Sequence, residues 1–495
     1  MRFLLSLLAL VALLSCGDTA TATATTANAG SGSSSATSNS SVPANLGDRR
    51  LESPDIKVTV ARAPLEGALL IGQLADQQYR AMEGTVEGNS VVFRQEEPLR
   101  PGHYYAYFSD GSGVQLLVDQ DQTMELTTTK EDPINDAVVS GNKDTELLYQ
   151  LLKFESSQSQ EFQMIGQAIR GLTPATPGYD ELQADRAALI DAREKYQDDL
   201  FATVPGSLFA SYKRAGRNPK LQDVRKPDGT LDEKAQVAAF RDEFWDEVDF
   251  NDTRLLNTPV IFNKLKRYMK ELTPQNATAI IEAADNVTKR ALDHPEYLKF
   301  FANWITLEYE PGKTTVMDGA AIHVHMIQNY FTKERAFWSD SMTIYGLQQR
   351  ADQMAHSLVG QPGPNVTVPG IDGEPKTLYD LKKPYIAVFM YNPECEHCIE
   401  ETPILVREAN KLKGELDVYA IALDTEADKW KNFVKNNGMS GFTNVYDPSN
   451  RSIFKTYYVD NTPELYLLGP DRKIVSKNLK VSQLGDAIRL AKEKS

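Results

Sequence analysis

The most informative segment of this 495-residue sequence is YNPECEHCIEETP, at residues 391–403. It follows an apolar run at residues 385–390 that is typical of a buried strand, and it leads into a helical pattern at residues 396–412. Cys395 and Cys398 therefore stand at a strand-to-helix junction. Because the free N–H groups and the dipole of a helix N-terminus favour a thiolate, Cys395 is predicted to be the reactive sulfur.

The second cysteine of this pair, Cys398, follows one helical turn later, within disulfide range and shielded by the helix. Dithiol exchange needs an exposed thiolate that attacks a substrate disulfide and a second thiol that resolves the mixed disulfide. The spacing predicts that division of labour. A structural disulfide is the alternative, although cross-linking so short a loop stabilises a protein little.

Metal and haem chemistry would need ligands that the sequence does not offer. A zinc site requires two more ligands, and no second Cys-x-x-Cys exists. A c-type haem requires His directly after the second cysteine, where Ile399 stands. His323 and His325 have no nearby cysteine or acidic pair to complete a ligand set. We therefore predict no metal and no dissociable cofactor.

Strands and helices alternate around the motif. The patterns predict a strand at 416–423, a helix at 427–436, a closing β pair at 465–468 and 473–475, and a last helix at 481–492. Such alternation is typical of an α/β domain around a mixed sheet, which we place at residues 358–495.

These residues resemble the thioredoxin superfamily, and within it the TlpA/ResA-like lipoprotein and periplasmic oxidoreductases. Residues 395–398 (CEHC) occupy the active-site turn, and residues 401–403 (ETP) stand where that branch has Glu-x-Pro. Residues 461–463 (NTP) resemble the cis-proline loop that faces the disulfide. The spacing from Cys395 to Pro463 exceeds that of thioredoxin itself and implies an extra strand–helix insert.

The resemblance also implies roles for individual residues. Cys395 would be the nucleophile, Cys398 the resolving thiol, and Glu401 a proton carrier for the buried second sulfur. The backbone of Thr462, before cis Pro463, would pair with an incoming substrate strand. For Glu401, an exposed helix glutamate without a catalytic role remains the alternative.

The direction of electron flow is less determined. Glu394, where many relatives have Trp, and Glu396 are expected to disfavour the Cys395 thiolate and raise its pKa. His397 acts in the opposite direction when it is protonated, so Glu396 and His397 are candidate redox-tuning residues. Thr462 is the choice of many reducing relatives, and together with Glu401 it makes a reductase the favoured interpretation.

The N-terminus has the pattern of an export signal. One positive charge precedes an apolar run at residues 4–14, which is too short for a membrane span of about 20 residues. Residues 13–16 (LLSC) resemble the lipobox of bacterial lipoproteins, which implies a signal peptide at 1–15 and lipidation of Cys16. An ordinary signal peptide with an incidental cysteine is the alternative. The Thr-, Ala- and Ser-rich residues 16–55 are predicted to be a disordered tether.

Two further regions precede the α/β domain. Residues 56–130 alternate with period two between regularly spaced glycines, which predicts a small antiparallel β domain. Residues 142–357 carry apolar stripes at helical spacing, which predicts a helical domain whose stripes form its core, with a client-binding groove as the alternative. Both regions resemble the domains of unknown function that accompany thioredoxin-like modules in Bacteroidetes-type lipoproteins. The fold class is therefore multidomain α+β.

Composition limits the partners. The formal net charge is −15, which argues against nucleic acid as a partner. We expect an envelope enzyme that faces the periplasm and is held to a membrane only by lipid. The expected partners are disulfide-bearing envelope proteins and, by resemblance, a membrane thiol electron donor. A thiol peroxidase and a non-enzymatic lipid-anchored binding protein are the alternative functions.

Overall fold

The computed structural model describes residues 51–173, 175–449, 451–459 and 461–494. The predicted signal peptide, Cys16 and nearly all of the predicted tether lie outside the described residues. The described chain divides into two compact units, with the boundary between residues 264 and 265. The division falls inside the predicted helical region at 142–357. None of the described helices is both long and apolar enough to cross a bilayer.

The first unit begins with two β-sheets. Their strands are β1 Asp55–Ala61, β2 Leu69–Leu74, β3 Gln77–Glu83, β4 Thr85–Glu87, β5 Ser90–Arg94, β6 Gly102–Tyr107, β7 Gly113–Val118, β8 Thr123–Thr129 and β9 Val138–Ser140. The strand orders are β4-β5-β1-β8-β9 and β3-β2-β6-β7. Alternate residues of the longer strands face a shared apolar core that includes Val58, Leu70, Tyr104 and Leu126, whereas β4 is exposed along its length.

One strand pair departs from the predicted antiparallel pattern. β1 and β8 are parallel, with Ile56 opposite Met124, whereas the other pairs of the described sheets in this unit are antiparallel. A parallel pair needs a long connection, and the intervening chain supplies one by forming the second sheet. β9 also extends the sheet past the predicted domain end at residue 130.

Helices follow the sheets within this unit. They are α1 Lys143–Ile169, α2 Tyr179–Thr203, α3 Leu208–Ala215, α4 Glu233–Glu243 and α5 Pro259–Lys270, the last of which ends in the second unit. Asn142 caps α1 by accepting the N–H of Thr145 at 2.8 Å. The Thr145 hydroxyl in turn donates to the Leu117 carbonyl in β7 at 2.9 Å, and this contact fixes the helix against the sheet.

The second unit combines four further helices with the α/β region. The helices are α6 Ala277–Arg290, α7 Pro295–Glu308, α8 Gly319–Tyr330 and α9 Ser341–Ala355. Asp318, directly before α8, accepts the Val359 N–H at 2.7 Å and lies 3.9 Å from the Lys477 ammonium. Lys477 also donates to the Ser357 carbonyl at 3.1 Å. These buried contacts explain why the helices group with the α/β region.

The α/β region contains a five-stranded sheet. Its elements are β10 Thr367–Pro369, β11 Pro375–Thr377, β12 Tyr385–Tyr391, α10 Glu396–Lys411, β13 Leu416–Leu423, α11 Ala427–Asn436, β14 Thr443–Asp447, α12 Arg451–Tyr457, β15 Glu464–Leu468, β16 Ile474–Lys477 and α13 Leu484–Lys494. The order is β14-β13-β12-β15-β16, with β12, β13 and β14 parallel and the last two strands antiparallel. β10 and β11 form a separate hairpin.

The central strand β12 is buried along its whole length. Phe389 and Tyr391 face one apolar core, whereas Val388 and Met390 face the other. A strand covered on both faces has no solvated side, which is why its sequence is a continuous apolar run rather than an alternation. Because β12 is packed on both faces, its C-terminal end is held in place, and the two cysteines follow directly after it.

The spacing between the cysteines and the cis-proline loop accommodates two strand–helix pairs. β13 with α11 is the pair that the patterns predict, and β14 with α12 is an additional one. The predicted last helix begins instead as a short 3-10 turn at Val481–Gln483, and α13 follows it.

Candidate active site

A tight turn connects β12 to α10. The Asn392 carbonyl accepts the Cys395 N–H at 3.1 Å, and the Asn392 side chain accepts the Glu394 N–H at 2.8 Å. The Asn392 amide also donates to the Asp424 carbonyl after β13 at 3.0 Å. Asn residues favour such turns because their side chains bond to nearby backbone. The turn delivers Cys395 to the N-cap position of α10.

The two sulfurs have unequal surroundings. The Cys395 Sγ accepts the Cys398 backbone N–H at 3.4 Å, as a capping side chain does. Cys395 is partly exposed, whereas Cys398 is fully buried, and both carry free thiols. A disulfide-bearing substrate can thus approach the first sulfur, while the second is reached only from the first.

The pKa values of the two thiols are displaced in opposite directions. Partial burial acts to raise the pKa of Cys395, but hydrogen bonds from Cys398 and from the Thr462 side chain outweigh it and hold the pKa below the ordinary value. Burial, together with the neighbouring Cys395 sulfur, raises the pKa of Cys398 to about 12. The net displacement of the Cys395 pKa is downward because these hydrogen bonds dominate, and the expected opposing influence of Glu394 and Glu396 stays a prediction.

The predicted cis-proline loop lies beside the first cysteine. The Cys395 thiol donates to the Thr462 carbonyl oxygen at 3.2 Å, and the Thr462–Pro463 peptide bond is cis. β15 starts directly after the loop and pairs antiparallel with β12, with Glu464 opposite Met390. This register brings residues 67 positions apart in the chain into contact at one edge of the sheet.

Glu401 follows Cys398 by three residues, so both lie on the same face of α10. Its carboxylate is half-buried and accepts the Val481 N–H at 3.0 Å, which holds it at the start of the 3-10 turn. No hydrogen bond joins Glu401 to Cys398 among the described residues. The structure thus gives Glu401 a structural contact and leaves its proposed proton transfer a prediction.

The charged residues of the turn are arranged around one lysine that sequence analysis missed. Lys429, on α11, bonds to the Glu394 carboxylate at 2.8 Å and lies 4.0 Å from Glu426. This cation offsets the carboxylate next to Cys395, and the bond raises the pKa of Lys429. No local pattern predicts the pair, since its members are 35 residues apart.

The two predicted tuning residues are exposed. Glu396 projects from the first turn of α10, and the His397 Nδ1 lies 3.6 Å from the Glu400 carboxylate in an open position. Within the described part of the chain, no group of three or more His, Cys, Asp or Glu residues is placed to hold a metal ion.

Cys398 lies in an apolar core in which the aromatic ring of Tyr391 carries a polar hydroxyl group. Tyr391 stacks on Phe389 with ring centroids 5.3 Å apart and contacts the Phe433 ring, also at 5.3 Å. Burial raises the pKa of Tyr391, so the phenol stays protonated beside the cysteine. These aromatic rings and the rest of the core leave Cys398 without contact to solvent.

Comparisons with known proteins gave one family match and several similar solved structures. Residues 359–477 match the model of the AhpC/TSA family. A thioredoxin-like protein from Bacteroides caccae is 17% identical, with a TM-score of 0.45, over 55% of this chain and 99% of that chain. A domain of a possible thiol-disulfide isomerase from Cytophaga hutchinsonii is 29% identical, with a TM-score of 0.26, over 28% of this chain and 95% of that chain.

A third solved structure is the thioredoxin domain of a thiol-disulfide oxidoreductase from Bacteroides vulgatus. It is 26% identical, with a TM-score of 0.24, over 28% of this chain and 96% of that chain. No curated protein matches the chain.

The class of protein follows from the fold, the site and the family match. A mixed sheet, a Cys-x-x-Cys turn at the end of its central strand and a facing Thr462–Pro463 loop define a thioredoxin-like α/β domain within the C-terminal region. The predicted fold class, with N-terminal β-sheets, a helical middle region and this C-terminal domain, is confirmed. The chemistry that such a domain supports is thiol–disulfide oxidoreduction.

Proposed function

We propose that this protein is a cell-envelope thiol–disulfide oxidoreductase that reduces disulfides of other proteins. The observation that carries the proposal is the asymmetry of the two sulfurs. Cys395 is accessible with a lowered pKa, and Cys398 is buried with a pKa of about 12. An enzyme that reduces a disulfide needs that asymmetry, because one sulfur must be ready to attack and the other must wait.

In the first step, the Cys395 thiolate attacks one sulfur of the client disulfide. The client S–S bond breaks, one client sulfur leaves as a thiolate, and the other becomes bonded to Cys395. The Cys395 hydrogen bond to the Thr462 carbonyl is lost when the thiol ionises, which frees that carbonyl for the client backbone. Thr462 and Pro463 are the proposed substrate-binding residues on this basis.

In the second step, Cys398 loses its proton and attacks the Cys395 sulfur. The mixed disulfide breaks, the second client sulfur leaves and takes up a proton, and the Cys395–Cys398 disulfide forms. Two electrons have then passed from the cysteine pair to the client. Glu401 is the proposed acceptor of the Cys398 proton, since the two residues share one face of α10.

The Cys395–Cys398 disulfide must then be reduced again by an external two-electron donor, for which we propose a membrane thiol carrier. The export-type leader and the LLSC segment support a lipoprotein anchored through Cys16 and facing the periplasm. Disulfide-bearing envelope proteins are the proposed clients.

The experiment that tests the proposal is a trapping assay. Cys398→Ser should accumulate mixed disulfides between Cys395 and client proteins, whereas Cys395→Ser should accumulate none. Purified wild-type protein should also cleave the interchain disulfides of insulin when dithiothreitol is supplied. Equal trapping by both variants, together with no insulin cleavage, would contradict the assigned roles.

The same variants separate the alternative functions. A thiol peroxidase would consume peroxide rapidly and form sulfenic acid on Cys395 in the Cys398→Ser variant. A binding protein would retain its cellular function in both cysteine variants.

A further inference from the structure

We infer that Asn392 is a positioning residue for the chemistry of Cys395, and that its side-chain amide acts by anchoring the active-site turn to the end of β13. The role rests on the proposed function, in which Cys395 is the attacking sulfur. Asn392 is half-buried and directly follows β12, three residues before Cys395. It therefore acts on the reaction through the placement of the sulfur.

The active-site turn itself needs only part of the Asn392 side chain. The segment NPEC, at residues 392–395, has Asn and Pro at the first two positions of a β-turn, where both residues are favoured. The Asn392 carbonyl accepts the Cys395 N–H at 3.1 Å, and Asn392 Oδ1 accepts the Glu394 N–H at 2.8 Å. Asp and Ser side chains can accept the same bond to the side chain. The turn alone therefore does not explain why this side chain is an amide.

The amide nitrogen makes the contact that distinguishes Asn from Asp and Ser. Asn392 Nδ2 donates to the Asp424 carbonyl at 3.0 Å, whereas an Asp carboxylate has no donor and a Ser hydroxyl lies one bond closer to the backbone. Asp424 directly follows β13, between the buried residues Leu423 and Thr425. The Thr425 carbonyl accepts the Tyr446 hydroxyl of β14 at 2.6 Å. The amide thus ties the turn to a segment that the sheet holds in place.

The surroundings of the Cys395 sulfur depend on where the turn lies. Cys395 Sγ is 3.4 Å from the Cys398 nitrogen on α10 and 3.2 Å from the Thr462 carbonyl oxygen before β15. Because these partners belong to different elements, a displacement of the turn weakens at least one of the two contacts. The N–H groups of the helix N-terminus stabilise the thiolate, so a loosened turn leaves Cys395 less ionised.

A second connection between the turn and this side of the domain is weaker. Glu394 pairs with Lys429 of α11 at 2.8 Å, but the two side chains are 55% and 46% exposed. Ion pairs at such exposure contribute little to stability. Asn392 is less exposed, and its amide therefore carries more of the anchoring.

The test measures the ionisation and the reactivity of Cys395 in Asn392→Ser. This variant keeps an acceptor for the Glu394 N–H but loses the amide donor to Asp424. The Cys395 pKa, from thiolate ultraviolet absorbance against pH, should rise by about half a pH unit to one pH unit, since one hydrogen bond is lost.

The reactivity is measured with a small aromatic disulfide. The Cys395 thiolate attacks one sulfur of this reagent, its S–S bond breaks, and a coloured thiolate leaves. At a pH below the Cys395 pKa of both proteins, the rate should fall about two- to fourfold in Asn392→Ser, because the loss of thiolate outweighs its gain in nucleophilicity.

Asn392→Ala removes both side-chain bonds and separates their effects. If the anchor to Asp424 positions the sulfur, Asn392→Ser and Asn392→Ala should raise the Cys395 pKa by similar amounts. A wild-type pKa in Asn392→Ser would overturn the inference, because the amide would then have no part in placing the sulfur. Asn392→Ser keeps the turn, which guards the test against a folding defect.

The matched control is Asn444→Ser, which removes another side-chain amide of the same domain. The Asn444 amide donates to the Met439 and Phe442 carbonyls at 2.8 and 3.0 Å, within the segment that leads into β14. This control should lower the melting temperature and leave the Cys395 pKa unchanged. An equal rise of the pKa in Asn444→Ser would overturn the inference, because a general loosening of the domain would then be the cause.

Two measurements distinguish a failed positioning role from a failed function. If the wild-type protein cleaves insulin while Asn392→Ser keeps the wild-type Cys395 pKa, only the positioning role is wrong. If the wild-type protein cleaves no insulin and traps no client, the proposed function is wrong, whereas a raised Cys395 pKa in Asn392→Ser still supports the placement of the sulfur by Asn392.

Discussion

The Cys395 turn and the Asp318–Lys477 pair both place ionisable groups in the second unit, but in opposite surroundings. Cys395 is partly exposed and hydrogen-bonded to Cys398 and Thr462. The Asp318 and Lys477 side chains are 4% and 5% exposed and lie among the helices and the last strands. Burial raises the pKa of Asp318 and lowers that of Lys477, so both are displaced against their charged forms.

The comparison shows that a displaced pKa has a functional meaning only where a reactant has access. At Cys395, hydrogen bonding overcomes partial burial and stabilises the charged form of an accessible atom. At the buried pair, desolvation is the largest influence on both groups, and each depends on the other for its charge. The first arrangement suits chemistry, and the second connects parts of the fold.

The largest expected effect separates the two sites by activity. Cys395→Ser should reduce disulfide-reductase activity by at least about 10³-fold, because the attacking sulfur is gone. Its melting temperature should stay close to that of the wild type, since the hydroxyl can still cap α10. Insulin reduction and thermal unfolding followed by circular dichroism measure the two quantities. Retained reductase activity in Cys395→Ser would show that Cys395 is not the attacking sulfur, and the contrast between a reactive and a structural site would fail.

The next effect concerns stability. Lys477→Met should lower the free energy of unfolding by about 3–5 kcal/mol, because it leaves the buried Asp318 carboxylate without its cation. Urea denaturation provides the measurement.

The companion variant keeps this prediction specific. Adding Asp318→Asn should restore most of the lost stability, because Asn tolerates the positive φ of 57° and can still accept the Val359 N–H. Lys473→Met, at an exposed lysine, is the control. If the double variant is no more stable than Lys477→Met alone, the charge pairing is not the cause.

A third prediction concerns pH. Only the thiolate reacts with iodoacetamide, so alkylation of Cys395 should rise with pH and reach its midpoint below the pKa of an ordinary thiol. Cys398, with a pKa of about 12, should stay unmodified over roughly pH 5–9. Mass spectrometry of the alkylated protein gives both profiles. A Cys395 midpoint at or above the ordinary value would contradict the assigned stabilisation.

The smallest expected effect tests the lysine beside the turn. Lys429→Gln should raise the Cys395 pKa by about half a pH unit or less, because Glu394 would lose its compensating cation and both side chains are exposed. Glu394→Gln should lower the pKa by a similar amount, and the double variant should return near the wild type. Thiolate ultraviolet absorbance against pH measures the shifts. Identical midpoints in all four proteins would show that the pair does not tune the sulfur.

The sequence predicts the C-terminal fold because its strongest signals are local. The apolar run of β12 and the cysteine spacing at the start of α10 each lie in one continuous segment, so both can be recognised without knowledge of the rest of the fold. β14 was missed because its short segment, Thr443–Asp447, alternates weakly and has polar residues at both ends. The parallel pairing of β1 with β8 was missed because parallel and antiparallel strands share one period.

In the candidate site too, some residues are predictable from local motifs and others are not. Cys395, Cys398 and the Thr462–Pro463 loop are recognisable as short motifs, and the structure brings them together. Lys429 carries no motif, because its importance comes from the packing of α11 beside the turn.

The parallel pairing of β1 with β8 has a consequence for biosynthesis. β1 can pair with β5 early, but its other edge stays without a partner until residues 123–129 have emerged. At synthesis rates of about 5–20 residues per second, roughly 60 intervening residues correspond to a delay of about 3–12 s. During that interval the nascent chain exposes an edge of β1 that can pair with strands of other polypeptides. A chaperone that binds β1 during this interval would therefore protect the nascent chain from aggregation.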